Sequence, residues 1–231
     1  MSKYKHLFFD LDNTLWDFKT NSFETLSDLY LQYDLKNKGI SSLENFITVY
    51  HEHNAQLWKE YGMGFIKKKN LRTDRFHRTF NDFGIIDFEL SENFGNDYIH
   101  KSPLKNTLFP YAIETLNYLS EKYTLHIITN GFEEVQHIKL ENSGLKKFFK
   151  TVITSEMAGA KKPDKKIFHY ALYRAKTKSK QCVMIGDDLE IDVLGAKNAG
   201  IDAIYFNPEK KIHKERGFVE INSLKELMSI L

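Results

Sequence analysis

A chain of 231 residues, 42% hydrophobic and 28% charged, has room for one core domain and a smaller appended one. Its net charge of +2 argues against a coat for polymeric nucleic acid, and no apolar run approaches the length of a membrane span. The lone Cys182 lies in an apolar run and has no internal disulfide partner, which places the chain in the cytoplasm as an expectation. The apolar stretch near the N-terminus is short, is broken by Asp10 and Asp12, and has no small-residue cleavage pattern after it, so it does not read as a secretion signal.

The first element in chain order is Leu7-Phe8-Phe9, a buried-strand pattern that ends in Asp10-Leu11-Asp12-Asn13-Thr14. A strand projects residues i and i+2 to one side, so Asp10 and Asp12 are expected together at its C-terminal end. Two carboxylates there raise each other's cost of ionisation, a conflict that a divalent cation would resolve. An ordinary Asp/Asn turn after a strand is the competing reading.

From residue 17 to 104 apolar residues recur at helical spacing with no convincing strand. Phe23, Leu26, Tyr30 and Tyr33 make one stripe, and Phe46, Val49, Tyr50 and Leu57 a second, introduced by a capping box from Ser41 to Glu44. Leu71, Phe76, Phe80 and Phe83 stop at Gly84; Leu90, Phe94 and Tyr98 stop before Pro103. The basic run Lys67-Lys68-Lys69 reads as a solvated helix face or helix start.

Beyond residue 105 strands and helices alternate. Helices are expected over 111–122, 133–143, 164–175, 190–199 and 223–231, the last capped by Asn222 or Ser223; strands are expected over 125–129, 152–154, 182–185 and 203–206. Right-handed crossovers then give an α/β fold, a three-layer Rossmann-like core with about five parallel strands. Residues 1–16 and 105–231 would form this core, with 17–104 as an inserted helical domain.

Three of these later segments end in chemistry. Leu125 to Gly131 is an apolar run ending in Thr129, Asn130 and Gly131; Lys162 stands just before Pro163 at a helix start; and Cys182 to Ile185 runs into Gly186, Asp187, Asp188 and Asp192. Ligands of open parallel sheets bind beyond the carboxyl ends of the strands, where these residues could converge on Asp10 and Asp12. Taken singly, Thr129 could cap a strand end, Lys162 could be a surface lysine and Asp188 a helix N-cap.

The ordered motifs DxDxT, a strand ending in Thr, a Lys, and GDxxxxD resemble the haloacid dehalogenase-like hydrolase superfamily, in the group with a helical cap inserted after the first motif. The resemblance implies that Asp10 is a nucleophile forming an aspartyl-phosphate and that Asp12 is the general acid and base. Superfamily members that attack carbon lack an acid at the position of Asp12, so phosphoryl transfer is implied. It also implies that Mg2+ is held by Asp10, Asp187 and the main-chain carbonyl of Asp12. Thr129, with the neighbouring Asn130 and Gly131, and Lys162 would bind the phosphoryl group. Thr14 would brace the loop holding Asp10, while Asp188 and Asp192 would orient a metal water or Lys162. The cap is expected to close over the site and exclude water.

Within that group, Ile127 to Phe132 followed by Gln136, Leu140 and the Ser143-Gly144-Leu145 stop resembles bacterial pyrimidine 5'-nucleotidases. Gly159 to Phe168 and Leu57 to Tyr61 agree. The substrate implied is a small phosphorylated metabolite, a pyrimidine nucleotide such as UMP, dUMP or dTMP, handled by a monomer or weak homodimer with no membrane partner. Trp16 and Phe18 could stack on the base, or could simply fill the hinge. Alternatives are a phosphatase of phosphoglycolate or a sugar phosphate, a sugar-phosphate mutase, or a catalytically silent binding protein on the same fold. Phe109-Pro110-Tyr111 departs from the resemblance, since many capped relatives have glycine after the proline.

Overall fold

The structure, a computed structural model, describes residues 3–231. The chain divides into two compact units, one formed by the segment up to Phe18 with Asn106–Leu231, the other by Lys19–Lys105.

The first unit is built on six parallel strands: β1 (His6–Phe9), β2 (Thr124–Thr129), β3 (Phe149–Thr154), β4 (Cys182–Gly186), β5 (Asp202–Phe206) and β6 (Val219–Ile221). Their order is β3-β2-β1-β4-β5-β6, so β1 lies at the centre, where Leu7 pairs with Leu125 on one side and Val183 on the other. The short β6 is one strand more than the sequence pattern indicates, because only Ile221 of its three residues is buried and no apolar run marks it.

Alternation along the strands sends side chains into two layers. Leu7, Phe9, Leu125, Ile127, Val183 and Ile185 share one buried cluster with Leu116 of α5 (Ala112–Ser120), Leu140 of α6 (Glu133–Asn142) and Leu227 of α10 (Leu227–Ile230). Phe8, Ile128, Cys182 and Met184 point to the other face. There they meet Ile167, Phe168 and Ala171 of α8 (Lys165–Ala175) and Ala196 of α9 (Gly195–Asn198). A short α7 (Ser155–Ala158) follows β3. Cys182 is a buried free thiol, pushed by burial up to about 11. At the C-terminus Ser223, not Asn222, is the cap: its side chain and that of Glu226 form a reciprocal capping box.

The departure at Tyr111 has a backbone signature. Tyr111 sits in the left-handed region, φ 68 and ψ 7, immediately before α5. Glycine adopts this conformation without penalty, whereas a side chain there costs roughly 1 to 2 kcal/mol.

The second unit is wholly helical: α1 (Phe18–Gln32), α2 (Leu43–Gly62), α3 (Lys68–Asp82) and α4 (Phe88–Lys101). Leu26, Phe46, Tyr50, Phe76, Phe80, Phe94 and Tyr98 form its core, much of it ring against ring. Phe23 stays about half exposed, and Ile47 is buried where the stripe pattern favoured Val49. The α2 cap is Ser42 rather than Ser41, its hydroxyl accepting from Asn45 N–H at 3.1 Å. Lys67 is the N-cap position of α3, so the lysine run opens that helix. No helix among the described residues is long and apolar enough to cross a membrane.

Candidate active site

β1 ends at Phe9, and the chain then turns: Leu15 and Trp16 donate their amides to the Leu11 carbonyl, and Asn13, at φ 60, donates to Trp16. Asp10 N–H still donates to the Ile185 carbonyl of β4 at 2.9 Å, so the turn begins just beyond Asp10. Asp10 and Asp12 pair with different lysines, and beside burial the Asp12 charge still helps to raise the Asp10 carboxyl, as expected of two neighbouring carboxylates.

Asp10 is nearly buried and forms an ion pair with the Lys162 ammonium, which also donates to Asp192 Oδ1 at 2.6 Å. Asn130 fixes the backbone at that lysine. Its Oδ1 accepts from Lys162 N–H at 2.8 Å and its Nδ2 donates to the Lys162 carbonyl at 2.9 Å. The Asn130 side chain is thus spent on holding Lys162 in place. Thr14, expected to brace the Asp10 loop, donates its hydroxyl to Asp187 Oδ1 at 3.0 Å. Asp188 is a helix cap: its Oδ1 accepts from Glu190 and Ile191 N–H at 3.0 and 2.9 Å, and its own N–H donates to Asp192 Oδ2 at 3.2 Å. Gly186 has no room for a side chain, because a Cβ would lie 2.3 Å from Asp192 Oδ2.

Carboxylate oxygens of Asp10, Asp187 and Asp192 lie within 4.8 Å of one another. Burial, with smaller contributions from Asp192 and Asp187, pushes the Asp10 carboxyl well above the usual range against the pull of Lys162. Burial and Asp192 raise Asp187 to about 7, and burial also raises Asp192. Burial alone would lower Lys162, yet Asp10 and Asp192 carry it above its ordinary value. Three carboxylates against one ammonium leave two negative charges to be balanced when all are ionised. An all-oxygen donor set with that surplus fits a hard divalent cation. Asp192 spends both oxygens on Lys162 and Asp188 N–H, which leaves Asp10 and Asp187 as the better placed ligands. The Asp12 carbonyl takes no part in the backbone hydrogen bonds of the turn, where those of Leu11 and Trp16 are used.

Asp12 is held from α6. Lys139 forms an ion pair with Oδ1, and Gln136 Nε2 donates to Oδ2 at 2.8 Å and to Thr129 Oγ1 at 2.7 Å. Lys139 was not legible as a site residue, and Gln136 only as part of a resemblance; the available signal was two polar residues three apart on the helix face that carries the buried Leu140. Trp16 does not offer a face to a base. It is fully buried in the core cluster, with the Lys139 ammonium 4.0 Å from its ring centroid, so it fills the hinge and does not stack on a base.

This arrangement of aspartates and a lysine around the carboxyl ends of β1, β2 and β4 has relatives. The family described as haloacid dehalogenase-like hydrolase matches residues 4–200. The chain belongs to the haloacid dehalogenase-like hydrolase family. Similar family proteins include two bacterial pyrimidine 5'-nucleotidases. YjjG of Escherichia coli K12 is 34% identical, over 99% of this chain and 98% of its own length. PynA of Streptococcus pneumoniae is also 34% identical, over 89% of this chain and 84% of its own. Among solved structures of the haloacid dehalogenase-like fold, YfnB of Bacillus subtilis, bound to magnesium, superposes with a TM-score of 0.88 at 28% identity, covering 99% of both chains.

Proposed function

We propose that this haloacid dehalogenase-like hydrolase is a magnesium-dependent phosphomonoesterase that works through an aspartyl-phosphate on Asp10 and acts on pyrimidine nucleoside 5'-monophosphates. The observation that carries the chemistry is the division of labour between the two carboxylates. Asp10 lies against Lys162 beside Asp187 and Asp192, whereas Asp12, with 26% of its side chain exposed, is presented separately by α6.

In this reading a carboxylate oxygen of Asp10 attacks phosphorus and the bond to the leaving oxygen breaks. Asp12 gives that oxygen its proton. Asp12, now a base, takes a proton from the water that opens the acyl-phosphate, which returns Asp10 and releases inorganic phosphate. Lys162 and the Thr129 hydroxyl bind the phosphoryl oxygens, where charge builds up in the transition state. Asp10, Asp187 and the Asp12 carbonyl would hold magnesium, which would supply charge neutralisation there.

The nucleotide substrate is supported by the likeness to YjjG along nearly the whole chain, the helical unit included. The test is a panel of UMP, dUMP, dTMP, phosphoglycolate and sugar phosphates with purified protein and Mg2+. Free phosphate should appear, with kcat/KM on the pyrimidine nucleotides higher by about tenfold or more. Preference for phosphoglycolate or a sugar phosphate would overturn the nucleotidase assignment, and an isomeric sugar phosphate as product would indicate a mutase.

The raised carboxyls give the metal a second test. Burial and Asp192 push the folded Asp187 carboxyl up to about 7, above the ordinary value of about 4 that it has when unfolded, so between those values the unfolded chain binds fewer protons than the native one. Metal-free protein should therefore lose stability as pH rises through that window. Added Mg2+ should raise the melting temperature more at pH 7.5 than at pH 5; equal shifts at both would count against metal binding by these carboxylates.

A further inference from the structure

Gln136 is fully buried, and its amide orientation is dictated by charge. An Oε1 placed 2.8 Å from Asp12 Oδ2 would oppose lone pair to lone pair, so Nε2 must face the carboxylate. One consequence is costly. Gln136 Oε1 is left buried with no hydrogen-bond partner, an arrangement that ordinarily costs about 1 to 3 kcal/mol. A helix-to-loop tether would not need that sacrifice, since an apolar side chain of similar volume would fill the space.

The same Nε2 reaches Thr129 Oγ1, and here the count of hydrogen-bond sites is informative. A hydroxyl has two acceptor positions and one proton. Gly131 N–H, at 3.1 Å, and Gln136 Nε2, at 2.7 Å, occupy both acceptor positions. The Thr129 proton is then committed to donation, toward whatever acceptor arrives at the end of β2. Gly131 makes the arrangement possible: a Cβ there would stand 2.2 Å from Gln136 Nε2. Its φ is not in the left-handed region, so the close approach, and not backbone conformation, requires the glycine.

Lys139 completes the frame. Its side chain is 6% exposed, it pairs with Asp12 Oδ1, and it rests over the Trp16 ring, with Phe18 5.8 Å away on the same ammonium. Both Asp12 oxygens are thereby held from one face of α6, three residues apart.

We propose that Gln136 is a positioning residue that sets two groups of the site at once, the Asp12 carboxylate and the donating hydroxyl of Thr129, with Lys139 fixing the second Asp12 oxygen. The proposal rests on the assignment of Asp12 as acid and base and of Thr129 as a phosphoryl ligand. Its physical content is orientation: a reacting group displaced by about 1 Å can lose on the order of a hundredfold in rate.

The experiment is a double-mutant cycle of Lys139 with Asp12 beside the single Gln136→Met variant, on full-length protein with Mg2+ and 4-nitrophenyl phosphate, reading kcat, KM, competitive inhibition by inorganic phosphate, and thermal melting. Gln136→Met and Lys139→Met, which keep the side-chain volume, should each lower kcat about 10- to 100-fold while the protein stays folded at the assay temperature. On an Asp12→Asn background Lys139→Met should cost less than about twofold more, because two residues that act through one carboxylate are not additive. Gln136→Met alone should also weaken inhibition by inorganic phosphate, through the freed Thr129 hydroxyl. Equal losses on both backgrounds would overturn the positioning role while leaving Asp12 as acid and base. An Asp12→Asn variant within about threefold of wild type would instead overturn the assignment of Asp12, and the positioning proposal with it. Should Gln136→Met fail to fold, Gln136→Leu takes its place and is read in the same way, an unchanged kcat and phosphate inhibition overturning the proposal.

Discussion

Asp10→Asn is expected to reduce turnover of any phosphate ester by on the order of 10⁴-fold or more, the scale of losing a nucleophile outright. Stability should move the other way or not at all. The Asp10 carboxyl is buried among Asp187 and Asp192 and is pushed well above its usual range, so the native state bears a cost for its charge that a neutral amide of the same shape removes. Lys162 keeps Asp192 as partner in the variant. The measurements are steady-state kinetics with Mg2+ and a thermal melt on the same preparation. An Asp10→Asn protein retaining a tenth of the wild-type rate would remove Asp10 as the nucleophile, and a collapsed melt would show that the residue has a structural duty as well.

Lys162→Met should cost at least about a hundredfold in kcat/KM, since it removes a charge aimed at the transferring phosphoryl group. A surface lysine would change it by less than a factor of about two or three. This variant, unlike the first, should also be less stable. Lys162 is buried between Asp10 and Asp192, and deleting one member of a buried ion cluster leaves the remaining charges uncompensated, a loss of about 3 to 5 kcal/mol in comparable cases. Protonation of the two carboxyls relieves it, so the melting deficit should shrink as pH falls from 8 to 5. Kinetics taken well below the melting point separate the two effects. A variant with wild-type kcat/KM would show that the ammonium serves only the fold.

The acid and lysine motifs, their order and the strands that carry them were legible because each is local: an apolar run ending in polar residues is a pattern within ten positions of chain. The two lysines show where that legibility ends. Lys162 stood in a short motif beside Pro163 and could be assigned, but its anchoring by Asn130 spans 32 positions and no spacing rule connects them. Lys139 looked like any helix-surface cation, and only the packing of α6 against the turn after β1 brings it to Asp12.

The alternation of strand and helix, the helical insertion and the residue types at the strand ends can all be read along the chain, since hydrophobic period and turn chemistry are local. These patterns do not register β6, whose pairing with β5 owes more to backbone hydrogen bonds than to an apolar run. Long-range contacts settle that Asp10 and Asp12 pair with different lysines and that Trp16 is buried in the core, and the folded backbone settles that Asp188 caps a helix. The reason is common to all three: a side chain's direction in a turn depends on dihedral angles and distant partners, and residue identity alone specifies neither.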